Sequence, residues 1–194
     1  MNSKRNVTIR TATIADAKNL LGIYKPYVEQ TAITFEYEVP TEAEFSKRIS
    51  DTLKRYPYLV AELDGESVGY AYASPFKERA AYDWAVETSI YVKMESKRMG
   101  IGKLLYEKLE ACLKKQGILN VNACIAYPQK EDEHLTKDSV YFHEKLGYRM
   151  VGTFHQCGYK FDRWYDMVWM EKMIGEHKQK QPPVLAFPET EMPE

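Results

Sequence analysis

The run Lys97-Arg98-Met99-Gly100-Ile101-Gly102-Lys103 places three cations and two glycines between a strand-like segment and a long amphipathic one. Free backbone N–H groups at a helix N-terminus, with the helix dipole behind them, attract anions. Glycine lets the backbone come close to a phosphate, and the cations supply countercharge, so the run reads as a diphosphate cradle. It is neither of the two common phosphate loops. The dinucleotide fingerprint needs glycine where Leu105 stands, and the nucleoside-triphosphate loop needs glycine at Lys97 and a hydroxyl residue at Leu104. Upstream, Glu87 lies between Val86 and the apolar Ile90, and an apolar setting raises a carboxyl pKa toward the range of a general base. From the residues alone, an outward-facing strand glutamate serves equally well. His143 has a side chain that titrates near neutrality, suited to proton transfer, or it is a plain helix histidine.

These residues need elements to hold them. Alternation and turn signals predict strands at 7–11, 58–63, 67–73, 85–92, 119–126, 149–155 and 165–172. Helices are predicted after Thr13, over 41–55 behind the capping box Thr41/Glu44, over 100–116, and over 138–146. Pro26 is expected to kink or end the first helix. In the third helix Ile101, Leu104, Leu105, Leu109, Cys112 and Leu113 share one face, which is expected to be buried. The order implies an α/β fold with a mixed sheet. One domain over 1–174 is expected, followed by a loosely attached tail, 175–194, that holds four of the nine prolines.

With 27 basic and 28 acidic residues the formal charge is −1, without the basic excess of a nucleic-acid or acidic-membrane binder. No apolar run approaches the roughly 18 residues of a membrane span. The basic start, 1–6, leads into Val7-Thr8-Ile9-Arg10 where a signal peptide would be apolar. Cys112, Cys124 and Cys157 are odd in number and lack metal spacing, so reduced thiols and a cytoplasmic location are expected. His155 and Cys157 are too sparse for a metal site, and none is expected.

Lys97 to Gly102 resembles the (Arg/Gln)-x-x-Gly-x-(Gly/Ala) motif of the GNAT N-acetyltransferase superfamily, with lysine in the first place. Phe142-His-Glu-Lys-Leu-Gly-Tyr148 is similar to the (Phe/Tyr)-x-Lys-x-Gly-(Phe/Tyr) helix ending of the same superfamily, and the resemblance runs over 7–173. Pro75-Phe-Lys-Glu-Arg-Ala-Ala-Tyr82, Val86-Glu-Thr-Ser-Ile-Tyr-Val92, Val151-Gly-Thr-Phe and Gly158-Tyr-Lys-Phe-Asp-Arg-Trp164 resemble its phosphinothricin/amino-acid branch. The short Asp-x-x-Asn-x-x-Ser link of that branch is replaced by a longer segment, 127–137, with Thr136 in the place of Asn.

The resemblance implies a mostly antiparallel sheet flanked by helices and splayed at the cofactor site, and acetyl-CoA as co-substrate. It implies a small-molecule amine acceptor of the amino-acid type, phosphinothricin or methionine sulfone for example, and a homodimer. Glu87 would be the base and His143 the proton donor to the leaving thiolate, with Tyr141 a weaker rival. Backbone at Ile90, Tyr91 and Val92 would meet the pantetheine arm. Lys97, Arg98, Met99, Gly100, Ile101, Gly102 and Lys103 would hold the pyrophosphate, and Ser139 and Phe142 would also touch the cofactor. Thr34, Phe35, Phe76, Lys77, Arg79 and Tyr82 would form the acceptor site, where an arginine can grip a carboxylate in bidentate fashion. No cysteine or serine sits in a nucleophile setting, so direct attack in a ternary complex is expected. Other acceptors (a protein N-terminus, a polyamine, an aminoglycoside) and a non-catalytic acyl-CoA-binding module are the alternatives.

Overall fold

The computed structural model describes residues 7–190, 192 and 193, and the basic start, 1–6, lies outside them. Seven strands form one sheet: β1 (Val7–Thr11), β2 (Tyr58–Leu63), β3 (Glu66–Pro75), β4 (Ala85–Val92), β5 (Asn120–Tyr127), β6 (Arg149–Lys160) and β7 (Arg163–Met173). Their order is β1-β2-β3-β4-β5-β7-β6. Every pairing is antiparallel except the central one, β4 with β5. Helices α1 (Ala17–Gln30) and α2 (Glu42–Leu53) cover one face, and α3 (Ile101–Gln116) the other, while α4 (Asp138–Lys145) follows β5.

Alternation along the strands makes two cores. On the α3 face Leu59, Ala71, Val86, Val121 and Val168 pack with Ile101, Leu105, Tyr106, Leu109 and Leu113. On the opposite face Tyr58, Val60 and Tyr70 pack with Leu20, Tyr24, Tyr27, Phe45 and Ile49. The high tyrosine content goes largely here, with Tyr24, Tyr58, Tyr70, Tyr72 and Tyr91 in successive ring contacts. Local signals set the ends. Thr41 and Glu44 close a capping box before α2, and Asp64 and Gly65, both at positive φ, make the tight turn between β2 and β3.

Four expectations are corrected. Pro26 does not end α1, which runs on to Gln30. The carbonyl that the proline ring crowds belongs to Gly22, which carries no side chain and lets the turn relax. Leu104 is 41% exposed, and Tyr106 takes the buried position instead. The last two strands are longer than predicted because Phe161 and Asp162 form a glycine-free turn at positive φ. Gln156, also at positive φ, adds a bulge inside β6. Finally, the tail is docked. Phe187 is buried in the α3 core. Its N–H donates to the Arg55 carbonyl at 2.9 Å, and the Gln116 amide donates to the Arg55 and Leu185 carbonyls at 2.7 and 2.9 Å. Phe187, with Val184 and Met192 packed beside the same core, follows no helix or strand period, which is why the pattern missed the docking.

Candidate active site

The parallel pairing of β4 with β5 lasts three residues, Ala85↔Asn120, Val86↔Val121 and Glu87↔Asn122. Both strands continue beyond it, but β4 then pairs only with β3, and β5 only with β7. The sheet is split from Glu87 onward. A cavity of about 60 Å³ occupies the split, lined by Thr88 to Tyr91 on one side and Ala123 to Ala126 on the other, with Ile33, Tyr106, Ser139 and His143 around it.

At the open end of the split, β4 runs through a short 3₁₀ turn into α3. Lys97, Arg98, Met99 and Gly100 are all exposed, and Arg98 and Gly100 sit at φ of 63° and 83°. The first hydrogen bond of the helix runs from Leu104 N–H to Gly100 O, 3.2 Å, and no side chain caps Gly100. The N–H groups of Ile101, Gly102 and Lys103 therefore precede the helical ladder and face outward at its positive end. These features fit a diphosphate. The two glycines do different work. Gly100 supplies the left-handed bend, whereas a Cβ on Gly102 would lie 3.0 Å from the Phe142 ring, so Gly102 makes room for that ring. Lys97 rests over the Tyr27 ring at 5.0 Å, and Arg98 is 3.9 Å from Asp138.

Side chains alternate across β4, so the two faces of the split differ. Thr88 and Ile90 point to the α3 face, and Glu87, Ser89 and Tyr91 to the other. On the α3 face His143 is buried. Its Nδ1 lies 2.7 Å from the Ser139 carbonyl, which can only accept, so Nδ1 carries the proton. Nε2 then accepts from the Tyr106 hydroxyl at 3.0 Å. Thr88, which donates to the Asn122 carbonyl, lies 3.3 Å from the hydroxyls of both Tyr106 and Tyr148. Burial pushes the His143 pKa down to about 4, so the ring is neutral at physiological pH. This corrects the expectation of a group titrating near neutrality. Tyr141 is 50% exposed and lies outside the cavity lining.

On the opposite face Glu87 is half-buried. Desolvation holds its carboxyl above the usual range, while the Lys77 ammonium acts in the other direction. Cys124, on β5, is exposed, and desolvation by the surrounding protein, with the charge of Glu87, lifts its thiol to about 12. The backbone of Val92 is already engaged, since the Tyr27 hydroxyl donates to its carbonyl at 2.5 Å. The side chain of Tyr91 packs edge-on against Tyr24 and Tyr27 at 4.8 and 5.1 Å.

The expected acceptor residues fall into two groups. Thr34 and Phe35 belong to the loop 31–40, which reaches the split through Ile33. The Thr34 hydroxyl bonds Tyr24 at 2.8 Å, and the Phe35 ring lies over Gly158, where a Cβ would be only 2.2 Å away. Phe76, Lys77 and Tyr82 line a second, larger groove of about 820 Å³ between β4, β6, β7 and the tail. Lys77 sits over the Phe76 and Trp169 rings at 5.1 and 5.6 Å. Arg79 is exposed just before the 3₁₀ turn Ala80–Tyr82 and is not part of the groove lining. Sequence reasoning missed Tyr106, Thr88, Tyr148 and Cys124. Tyr106 had a signal, since it lies three residues before Leu109 and two turns before Leu113 on the buried face of α3.

Residues 9–169 match the acetyltransferase (GNAT) domain family. The chain is 38% identical to a phosphinothricin N-acetyltransferase of Streptomyces viridochromogenes, over 87% of its own length and 88% of that protein's. It is 31% identical to an L-methionine sulfoximine/L-methionine sulfone acetyltransferase of Pseudomonas aeruginosa, over 86% and 94% of the two chains. A crystal structure of a GNAT superfamily phosphinothricin acetyltransferase from Sinorhizobium meliloti in complex with AcCoA superposes with a TM-score of 0.83 at 33% identity, covering 97% of this chain and 99% of that one. A split parallel pair beside an uncapped, glycine-bent helix start thus coincides with a domain match over most of the sequence, and the chain belongs to the GNAT superfamily of acetyl-CoA-dependent N-acetyltransferases.

Proposed function

We propose that this enzyme acetylates the α-amine of a small amino acid or amino-acid analogue, of the phosphinothricin and methionine sulfone type, by direct attack in a ternary complex. The observation that carries the reading is the position of Glu87 at the last residue of the β4–β5 pairing, one residue before Thr88 begins the lining of the split, with its side chain on the face opposite His143 and Tyr106. Relatives acting on such acceptors by name cover nearly the whole chain.

In this reading the N–H groups of 101–103, with Lys97, Arg98, Met99, Gly100 and the Lys103 side chain, hold the pyrophosphate of acetyl-CoA. Ile90, Tyr91 and Val92 line the path of the pantetheine arm, with Ser139 and Phe142 across from them. Bound acetyl-CoA supplies the thioester. Glu87 takes the proton of the acceptor ammonium, directly or through water, and its burial sets a basicity useful for that step. The neutral amine adds to the thioester carbonyl carbon, the C–S bond breaks to leave the thiolate, and the nitrogen releases its second proton to water as the amide forms. The thiolate takes a proton from the Tyr106 hydroxyl, which neutral His143 orients, and the tyrosine regains one from the water that received the proton of the nitrogen. Thr34 and Phe35 wall the acceptor. Lys77, with Phe76, Arg79 and Tyr82 on the same loop, favours an acceptor that bears an acid over a polycation.

The catalytic unit is assigned to 1–174, with 175–194 as a brace, and the location to the cytoplasm; no helix among the described residues is long and apolar enough to cross a membrane. A homodimer is supported by the edge strand β6, on which Met150, Val151 and Phe154 are 43%, 59% and 56% exposed. The test is thiol release from acetyl-CoA over a panel of phosphinothricin, methionine sulfone, methionine sulfoximine and the common amino acids. Release with one or more of these supports the reading. Tight binding of CoA with no release across the panel defeats it.

A further inference from the structure

Lys160, the last residue of β6, is 3% exposed. Its ammonium donates to three backbone carbonyls, those of Val28 at 2.7 Å, Thr31 at 2.8 Å and Thr34 at 2.9 Å. An ammonium has three N–H bonds and no lone pair, so this amine is fully used and is no nucleophile. Two of the carbonyls lie at the C-terminal end of α1, where the helix dipole favours a cation. The third belongs to Thr34 itself. No neutral side chain supplies three converging donors, and the planar fork of arginine does not match three oxygens around one point.

The surroundings grip the same loop from other directions. Phe35 lies on Gly158, two residues before Lys160, and the Tyr37 hydroxyl donates to the Tyr159 carbonyl. The inserted segment 127–137 closes the far side. The Ala32 N–H donates to the His134 carbonyl at 3.0 Å, and the His134 ring stacks on Phe161 at 3.9 Å. Asp132 accepts from Tyr165 at 3.0 Å and pairs with Arg163 at 2.9 Å. Between its two held ends the loop delivers Ile33 to the lining of the split.

We infer that Lys160 is a positioning residue for the acceptor: by binding the carbonyls of Val28, Thr31 and Thr34 it fixes the loop 31–37 at the height over the split where Thr34 and Phe35 wall the amine. The inference rests on the acceptor-side role given to that loop above. The lysine acts through the backbone and touches no reacting atom. The turn 97–103 has none of these contacts, so loss of the lysine separates the two substrates kinetically.

The experiment compares Lys160→Met and the milder Lys160→Gln with wild type in steady-state kinetics and in backbone hydrogen exchange. Charge-assisted bonds of this kind are lost at a cost of about tenfold or more in a dependent equilibrium. The acceptor KM is therefore expected to rise about tenfold in Lys160→Met, while the acetyl-CoA KM moves less than about twofold. Amides of 31–37 are expected to exchange faster, with 98–103 unchanged. Lys160→Gln gives the same pattern at smaller size, and it carries the test if Lys160→Met does not fold. Wild-type acceptor KM and wild-type exchange at 31–37 in Lys160→Gln would overturn the inference, as would a parallel rise of both KM values. Should wild type acetylate no acceptor in the panel, the acceptor assignment fails by itself, and the exchange measurement still decides the role of Lys160.

Discussion

The proposed cofactor half of the site and the proposed acceptor half are built in different ways. The cofactor half is contiguous: β4, the bend at Arg98 and Gly100, and the first turn of α3 follow one another within 85–104. Its chemistry resides in backbone N–H groups that any sequence with that bend would present. The proposed acceptor half draws on the loop 31–40, braced by the insertion 127–137 and the β6–β7 turn through contacts such as Lys160 with Thr34 and Phe35 with Gly158, and on the loop 74–83, which lines a separate groove. A contiguous half resists change elsewhere in the chain. An assembled half depends on distant side chains, and that is where acceptor choice can vary without loss of the cofactor site.

Four substitutions probe this contrast. The largest effect is expected at the point where the halves meet. Glu87→Gln should lower kcat by about 10²- to 10⁴-fold while CoA affinity by calorimetry stays near wild type. The folded pKa of Glu87 is raised, so its contribution to stability is greatest below its unfolded pKa and falls as pH rises through the folded value. Near neutral pH the glutamine variant should melt at or above the wild-type temperature.

Next comes the cofactor half alone. In Gly102→Val the new side chain meets Phe142, and overpacking of this kind costs about 1–3 kcal/mol. The acetyl-CoA KM should rise about tenfold with the acceptor KM little changed, the reverse of the split expected for Lys160→Met. Equal shifts in both constants would remove the distinction between the halves.

The smallest expected effect concerns proton delivery. Tyr106→Phe removes one hydroxyl and the bond to His143 Nε2, worth about 1 kcal/mol, so kcat should fall several-fold with both KM values retained. His143 should show no ring titration by NMR in the neutral range. Because its folded pKa is depressed to about 4, the stability it contributes is complete above the ordinary histidine value of about 6.5 and is lost as pH falls toward 4. A histidine that protonates near neutrality would return it to the role of a free imidazolium donor.

The same contrast explains what was legible in the sequence. The anion turn could be read because glycine, cations and an amphipathic helix lie side by side, and the element order could be read from alternation and caps. Residues whose role depends on a partner far along the chain left no local mark. Lys160 stands in the segment 158–164 that carries part of the resemblance, but nothing in that segment marks its three partners, which lie 126 to 132 positions away. Phe187 is one apolar residue in a proline-rich tail, yet it fills a gap beside Arg55 and Gln116. The turn Phe161-Asp162 lacks the glycine that marks such turns, so the length of the last hairpin was hidden as well.

In the proposed reaction the split sheet sets a desolvated Glu87 against the amine of the acceptor. The pH dependence of kcat/KM for the acceptor, in wild type and in Glu87→Gln, tests it most directly. The wild-type profile should contain an ascending limb set by a carboxyl above the ordinary glutamate range, and that limb should be absent from the variant, leaving only the limb of the amine itself. The same lower limb in both proteins would show that another group takes the proton.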